Sequence, residues 1–211
     1  NNANYFLKDS QIYISTEKLN NDAAGSSVIN LLIQADSGQK EPFKNVENLK
    51  YVDELIAFVE GLPKVGKVLG LTRLIKRINF VLNDEDEAYN RLPEISGSDE
   101  TSKHLIPQLL LLYENGGGDT LSDFTDTGYT RLNIPIVLQT NSSLDVYQLS
   151  KQVEGFVVKN FPDHIRVDIS GSASVSVAAT EEIVKGQMTS LIVSLGVVLT
   201  MLWFAFRKIS Y

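Results

Sequence analysis

Three aspartates, Asp119, Asp123 and Asp126, precede Gly128, and a run of carboxylates before a turn is where a calcium ion would be sought. The spacing does not fit an EF-hand, which takes oxygen ligands at alternate positions and closes with a late glutamate. A solvated acidic turn is the better reading. Gly116, Gly117 and Gly118 would cradle a phosphate only if they opened a helix after a strand. They follow an apolar helical run and carry no lysine, so they read as a connector. His104 and His164 stand 60 positions apart with no serine motif beside either, which leaves them surface or capping roles. Ser170-Gly171-Ser172-Ala173-Ser174 lacks the G-x-S-x-G order of a hydrolase elbow. Asn141-Ser142-Ser143 satisfies the glycosylation sequon, a pattern short enough to arise often by accident. Arg73, Lys76 and Arg77 form a basic stripe that is either a solvated helix face or pairs with the acidic loop Asp84 to Glu87. These residues point to no catalytic, cofactor or metal site.

Composition narrows the partners. The 211 residues carry 19 lysines and arginines against 26 acids, a formal charge of −7. From Gly186 onward the only charges are Arg207 and Lys208, so the preceding region holds 17 cations against 26 acids, or −9. A body that acidic is a poor match for phosphate backbones, and no nucleic-acid partner is expected. With no cysteine there is no disulfide framework and no thiolate nucleophile.

The apolar run at the C-terminus says most. Met188 to Phe206 (MTSLIVSLGVVLTMLWFAF) contains neither charge nor proline. As a helix it spans roughly 28 Å, close to the hydrocarbon thickness of a bilayer. Trp203, then Arg207 and Lys208, supply an interfacial aromatic and a basic flank, the pattern of a cytoplasmic helix end. That orientation puts residues 1 to about 185 outside the cytoplasm, on the periplasmic or extracellular side. The competing reading is a buried core helix. Around the helix, Thr189, Gly196 and Thr200 share one stripe with Ser190 and Ser194 beside it, while Leu191, Leu195, Val198, Leu199, Leu202 and Phe206 lie opposite. Small residues let membrane helices approach closely and bulky aliphatics suit lipid, so this face is expected to pack on helices outside the chain. Asn1 is not a methionine, and no charged-then-apolar leader precedes the acidic region. The expectation is an extracytoplasmic loop and its membrane helix within a longer polytopic protein.

The elements of the loop follow from periodicity. Ser27 to Gln34 (SVINLLIQ) is an apolar, β-rich strand. Val46, Leu49, Val52, Leu55, Ile56 and Val59 recur at helical spacing up to Gly61 and Pro63, and a short strand lies near 65–69. Residues 129–169 repeat the order. Leu132, Ile134, Ile136 and Leu138 alternate, with Pro135 arguing for an edge position or a bulge. Ser142 or Ser143 caps a helix facing inward through Val146, Leu149, Val153, Phe156 and Val157, and Ile165, Val167 and Ile169 close the unit. Two β-α-β units predict an α+β, ferredoxin-like split sheet with both helices on one face. An insertion of mostly helical character covers about 70–128, with helices at Leu71–Leu82 and near Ser102–Tyr113. The apolar LLLLY run of the second is either buried or a contact surface. The predicted division is an extracytoplasmic domain at 1–177 and a helix entering and crossing the membrane at 178–211.

The stretches VGKVLGLTRLIKRINFVLN, Arg91-Leu92-Pro93, SKHLIPQLLLLYE, DTGYTRLN, Ser170-Gly171-Ser172 and GQMTSLIVSL, in that order, resemble the extracytoplasmic loop of the resistance-nodulation-division (RND) superfamily, on its MmpL-like, hydrophobe/amphiphile efflux branch. The similarity spans nearly the whole chain, and the run MLWFAFRKISY leans toward the C-terminal half of such a protein. The resemblance implies a porter loop of a proton-driven exporter that receives hydrophobic or amphiphilic, lipid-like substrates. It implies the other transmembrane helices and the second porter loop of the same transporter as partners, with the proton relay on those other helices. The residues themselves support no enzymatic reading, and no cofactor is expected. Two alternatives stand beside the exporter: a single-pass, membrane-anchored binding or assembly ectodomain, and a sterol-sensing or Sec-type relative of the same architecture.

Overall fold

The computed structural model describes residues 6–36, 38–93, 105–118 and 121–207. In chain order these form α1 (Gln11–Asp22), β1 (Ser27–Ala35), α2 (Val46–Glu60), β2 (Val65–Val68), α3 (Leu71–Leu82), α4 (Leu105–Asn115), α5 (Leu121–Phe124), β3 (Arg131–Leu138), α6 (Ser143–Asn160), β4 (Ile165–Ser170) and α7 (Ser172–Arg207). The chain divides into two compact units, Asn1–Ser174 and Val175–Tyr211.

The first unit is a mixed α/β body on a four-stranded sheet of order β2-β3-β1-β4, with every neighbouring pair antiparallel. Each β-α-β unit leaves a one-strand gap that a strand of the other unit fills. Side-chain alternation makes the sheet one-sided. Ile29, Leu31 and Ile33 of β1 and Leu132, Ile134, Ile136 and Leu138 of β3 are buried, whereas Asn30, Gln34 and Asn133 point to the other face. Burying those alternate residues stabilises by about 1.5–3 kcal/mol each, and a one-residue slip would expose them all. The covering helices are α2, buried through Val46, Leu49, Val52, Leu55, Ile56 and Val59, and α6, buried through Val146, Leu149 and Val153. They lie side by side, with Phe58 stacked on Phe156 at 4.4 Å between ring centroids.

Pro135 departs from expectation, for it sits on β3, a central strand, and the irregularity in register lies elsewhere, between Val65 and Lys67. Its carbonyl accepts from the Leu69 N–H at 2.9 Å, so its nitrogen faces the same side, one residue past the end of β2. The missing donor falls where the ladder has already stopped. β2 approaches the chain closely as well, since a Cβ on Gly66 would lie 1.6 Å from the carbonyl oxygen of Ala24.

The insertion holds α3, α4 and α5. Ile75 of α3 and Ile106 and Leu110 of α4 are buried, while Leu111 and Leu112 are exposed, so the LLLLY run is buried on one side only. The three glycines after α4 are its C-cap. Gly117 takes a positive φ of 87°, and the Gly118 N–H donates to the Tyr113 carbonyl at 3.0 Å, the bonding of a Schellman motif.

Candidate membrane helix and polar clusters

α7 is continuous over 36 residues. Glu182–Phe204 is long and apolar enough to cross a membrane, and none of that segment is buried. It begins six residues before the span expected from charge alone, because Glu182 and Lys185 are outweighed by the apolar residues that follow. Complete exposure argues against the core-helix reading, since a core helix would bury its leucines. Thr189, Ser190, Ser194, Gly196 and Thr200 are all exposed. The Thr189 hydroxyl donates to the Lys185 carbonyl at 2.9 Å and that of Thr200 to the Gly196 carbonyl at 2.7 Å. Both hydroxyls are therefore satisfied within the helix, so Thr189, Gly196 and Thr200 offer small size rather than free donors. Trp203 is exposed and meets Phe204 edge-on at 4.9 Å. Arg207 is the last residue of α7, and Lys208 lies outside the described residues.

The polar residues of the body resolve into structural clusters. Asp126 closes a turn: its carboxylate accepts from the Thr130 N–H at 2.7 Å, the Thr130 hydroxyl at 2.6 Å and the Arg131 N–H at 3.0 Å. Burial alone would raise its pKa, but these bonds and the Arg131 charge hold it below the ordinary carboxylate value. Its oxygens are engaged in the turn, and no cluster of potential metal ligands occurs among the described residues. Asp119 and His104 lie outside them. His164 bridges elements. The Asn48 amide donates to Pro42 O at 3.0 Å and to Gln39 at 3.2 Å, which leaves Asn48 Oδ1 facing His164 Nε2 at 3.4 Å. The imidazole thereby ties α2 to the start of β4.

The basic stripe splits its partners. Arg73 pairs with Glu60, and Lys76 with Asp53 at 2.6 Å, both on α2, so only Arg77 reaches the acidic loop, 3.9 Å from Glu85. At the N-terminus of α6, Ser142 is the cap and its hydroxyl accepts from the Asp145 N–H at 3.5 Å. Asp145 accepts from the Thr140 hydroxyl at 2.6 Å and pairs with Lys64 at 3.2 Å, and both lower its pKa against a smaller cost of burial. Tyr129 lies under Lys44, whose ammonium is 4.3 Å from the ring centroid. Burial, then the neighbouring Glu114 carboxylate, push the phenol to about 12, so it stays protonated at any physiological pH.

Sequence reasoning missed α1 and the network that ties it to the body. Ser26 stands between Asn20, which accepts from its hydroxyl at 2.7 Å, and Asn141, which donates to it at 2.9 Å. Residues so far apart along the chain give no spacing signal. No family model matches the sequence, and no curated protein matches it.

Proposed function

We infer that the chain is an extracytoplasmic porter domain of an RND-type exporter on the MmpL-like branch, carried by a helix that spans the plasma membrane. The observation that carries this reading is the wholly exposed apolar segment Glu182–Phe204, on a helix that begins two residues after the last strand of the sheet. An exposed apolar run of that length is costly in water and suited to lipid. The interleaved strand order supports assignment of the body to the ferredoxin-like class, the architecture expected of such a loop. In this reading the body lies on the outer side, Trp203 and Arg207 mark the inner interface, and the stripe from Thr189 to Thr200 packs on neighbouring helices. The cargo is hydrophobic or amphiphilic, and the driving proton flux passes through the other membrane helices.

The absence of cysteine makes sidedness cleanly testable. Val158, on α6, is 87% exposed, so a Val158→Cys variant of the full-length protein offers one reactive thiol in this chain. A membrane-impermeant maleimide should label it in intact cells. Labelling only after lysis would place the body inside and overturn the assignment. In the same cells, efflux of Nile red should depend on the protein and stop on addition of a protonophore. Efflux indifferent to the protonophore would reject proton-driven export.

A further inference from the structure

We propose that the cleft between the end of α1 and the 139–141 turn is a binding subsite for a neutral polyhydroxylated group, such as a sugar. The cleft holds about 390 Å³, and every residue lining it is polar, four of them amides: Asn20, Asn21, Gln139 and Asn141. Three of these amides have their orientation fixed by the protein itself. Asn20 Oδ1 accepts from the Ser26 N–H at 3.1 Å and from the Ser26 hydroxyl at 2.7 Å, which turns its NH₂ away from Ser26. Asn141 donates its own NH₂ to the Ser26 hydroxyl at 2.9 Å, and Gln139 donates to Ala23 O at 3.3 Å, so their carbonyl oxygens are the ends left over. One oriented donor beside oriented acceptors is the complement of hydroxyl groups, each of which donates and accepts.

The charged residues lining the cleft are one carboxylate, Glu17, which disfavours an anionic ligand, and one ammonium, Lys64. Lys64 lines the cleft and is paired with Asp145, so it does not stand as a free cation for an anionic ligand. Lys64 also holds a left-handed backbone, φ 65°, kept there while its carbonyl accepts from the Gln139 N–H at 2.8 Å. A strained non-glycine residue at the rim of a preorganised polar cleft is the arrangement found at ligand sites. A smaller cleft of about 170 Å³ shares Lys64 and adds two more amides, Gln148 and Gln152. No aromatic ring lines either one, so affinity rests on hydrogen bonds and falls near a Kd of about 1 mM. This subsite stands independently of the transport reading.

The test uses the full chain in a sugar-free detergent, with side-chain amide NMR signals followed during titration with maltose, cellobiose and diacetylchitobiose. At least one of these should shift the Asn20, Gln139 and Asn141 amides together. Asn20→Asp keeps the oxygen that accepts from Ser26 and replaces the presented donor with a charged acceptor oxygen. It should weaken binding about tenfold while leaving the melting temperature in place. The proposal is overturned by no shift with any of the three sugars, by shifts scattered over the surface, or by undiminished affinity in the Asn20→Asp protein. Tighter binding of glucose 6-phosphate than of the neutral sugars would equally reject it.

Discussion

Gly171 joins the last strand to the long helix with φ 114°, and a Cβ there would lie 3.2 Å from Ile29 Cα, 3.4 Å from Asn30 N and 3.4 Å from the Val28 oxygen. The neighbours are backbone of β1 and cannot step aside. Gly171→Ala should therefore destabilise the body by about 1–3 kcal/mol in urea unfolding, and an unchanged midpoint would show that the junction relaxes freely. A second residue-scale prediction concerns acid. Asp126 and Asp145 titrate below the ordinary carboxylate value of 3.8 when folded. Their stabilisation is present above that unfolded value and is lost as pH falls through the folded one. Asp145→Asn should flatten part of this acid decline. A variant whose stability falls as steeply as the parent's below pH 4 would remove Asp145 from the account. These roles were only partly visible in the sequence. The acidic turn at Asp126 could be read from its company of aspartates and Gly128, but the partners that hold its oxygens are set by the geometry of the turn.

At the scale of elements, periodicity carried β1, α2 and α6, because each buries one face in the core between sheet and helices and the spacing of its apolar residues records that face, while β4 alternates in sequence although only Ile165 is fully buried. α1 left no such record, since it buries no residue and is tied down by Asn20 rather than by a stripe. Pro135 misled because the rule about proline in central strands concerns a donor with a waiting acceptor, and β2 is too short to supply one there. The basic face of α3 was ambiguous in sequence because its partners are on α2 as well as in the next loop. That difference is measurable. Lys76 and Asp53 are mostly buried, with side chains 17% and 24% exposed, whereas Arg77 and Glu85 are both 65% exposed. Lys76→Met leaves a carboxylate without its cation and should cost about 1–2 kcal/mol, between the values for exposed and fully buried pairs. Arg77→Ala should change stability by less than about 0.5 kcal/mol. Equal effects in thermal unfolding would refute this account of how α3 is held.

At the scale of the whole molecule, if the proposed exporter couples motion of the body to its membrane helices, α7 is the element of this chain that runs between the two in sequence. Gly186 lies near the start of the candidate span, outside the folded unit that ends at Ser174, with no heavy atom within 4 Å of an added Cβ. A methyl group is therefore harmless there, and Gly186→Ala should support protonophore-sensitive efflux at the parental rate, with a slightly firmer helix. Gly186→Pro removes the N–H that bonds to residue 182 and clashes with the preceding turn, a local cost of about 3 kcal/mol or more. Because the break falls beyond Ser174, the thermal unfolding of the body should be unchanged in both variants. If α7 transmits motion as a continuous rod, the proline variant should reach the membrane with the same sidedness, label normally through Val158→Cys, and fail to export. Efflux that persists in the proline protein would show that coupling runs through another part of the transporter, and α7 would then be an anchor alone.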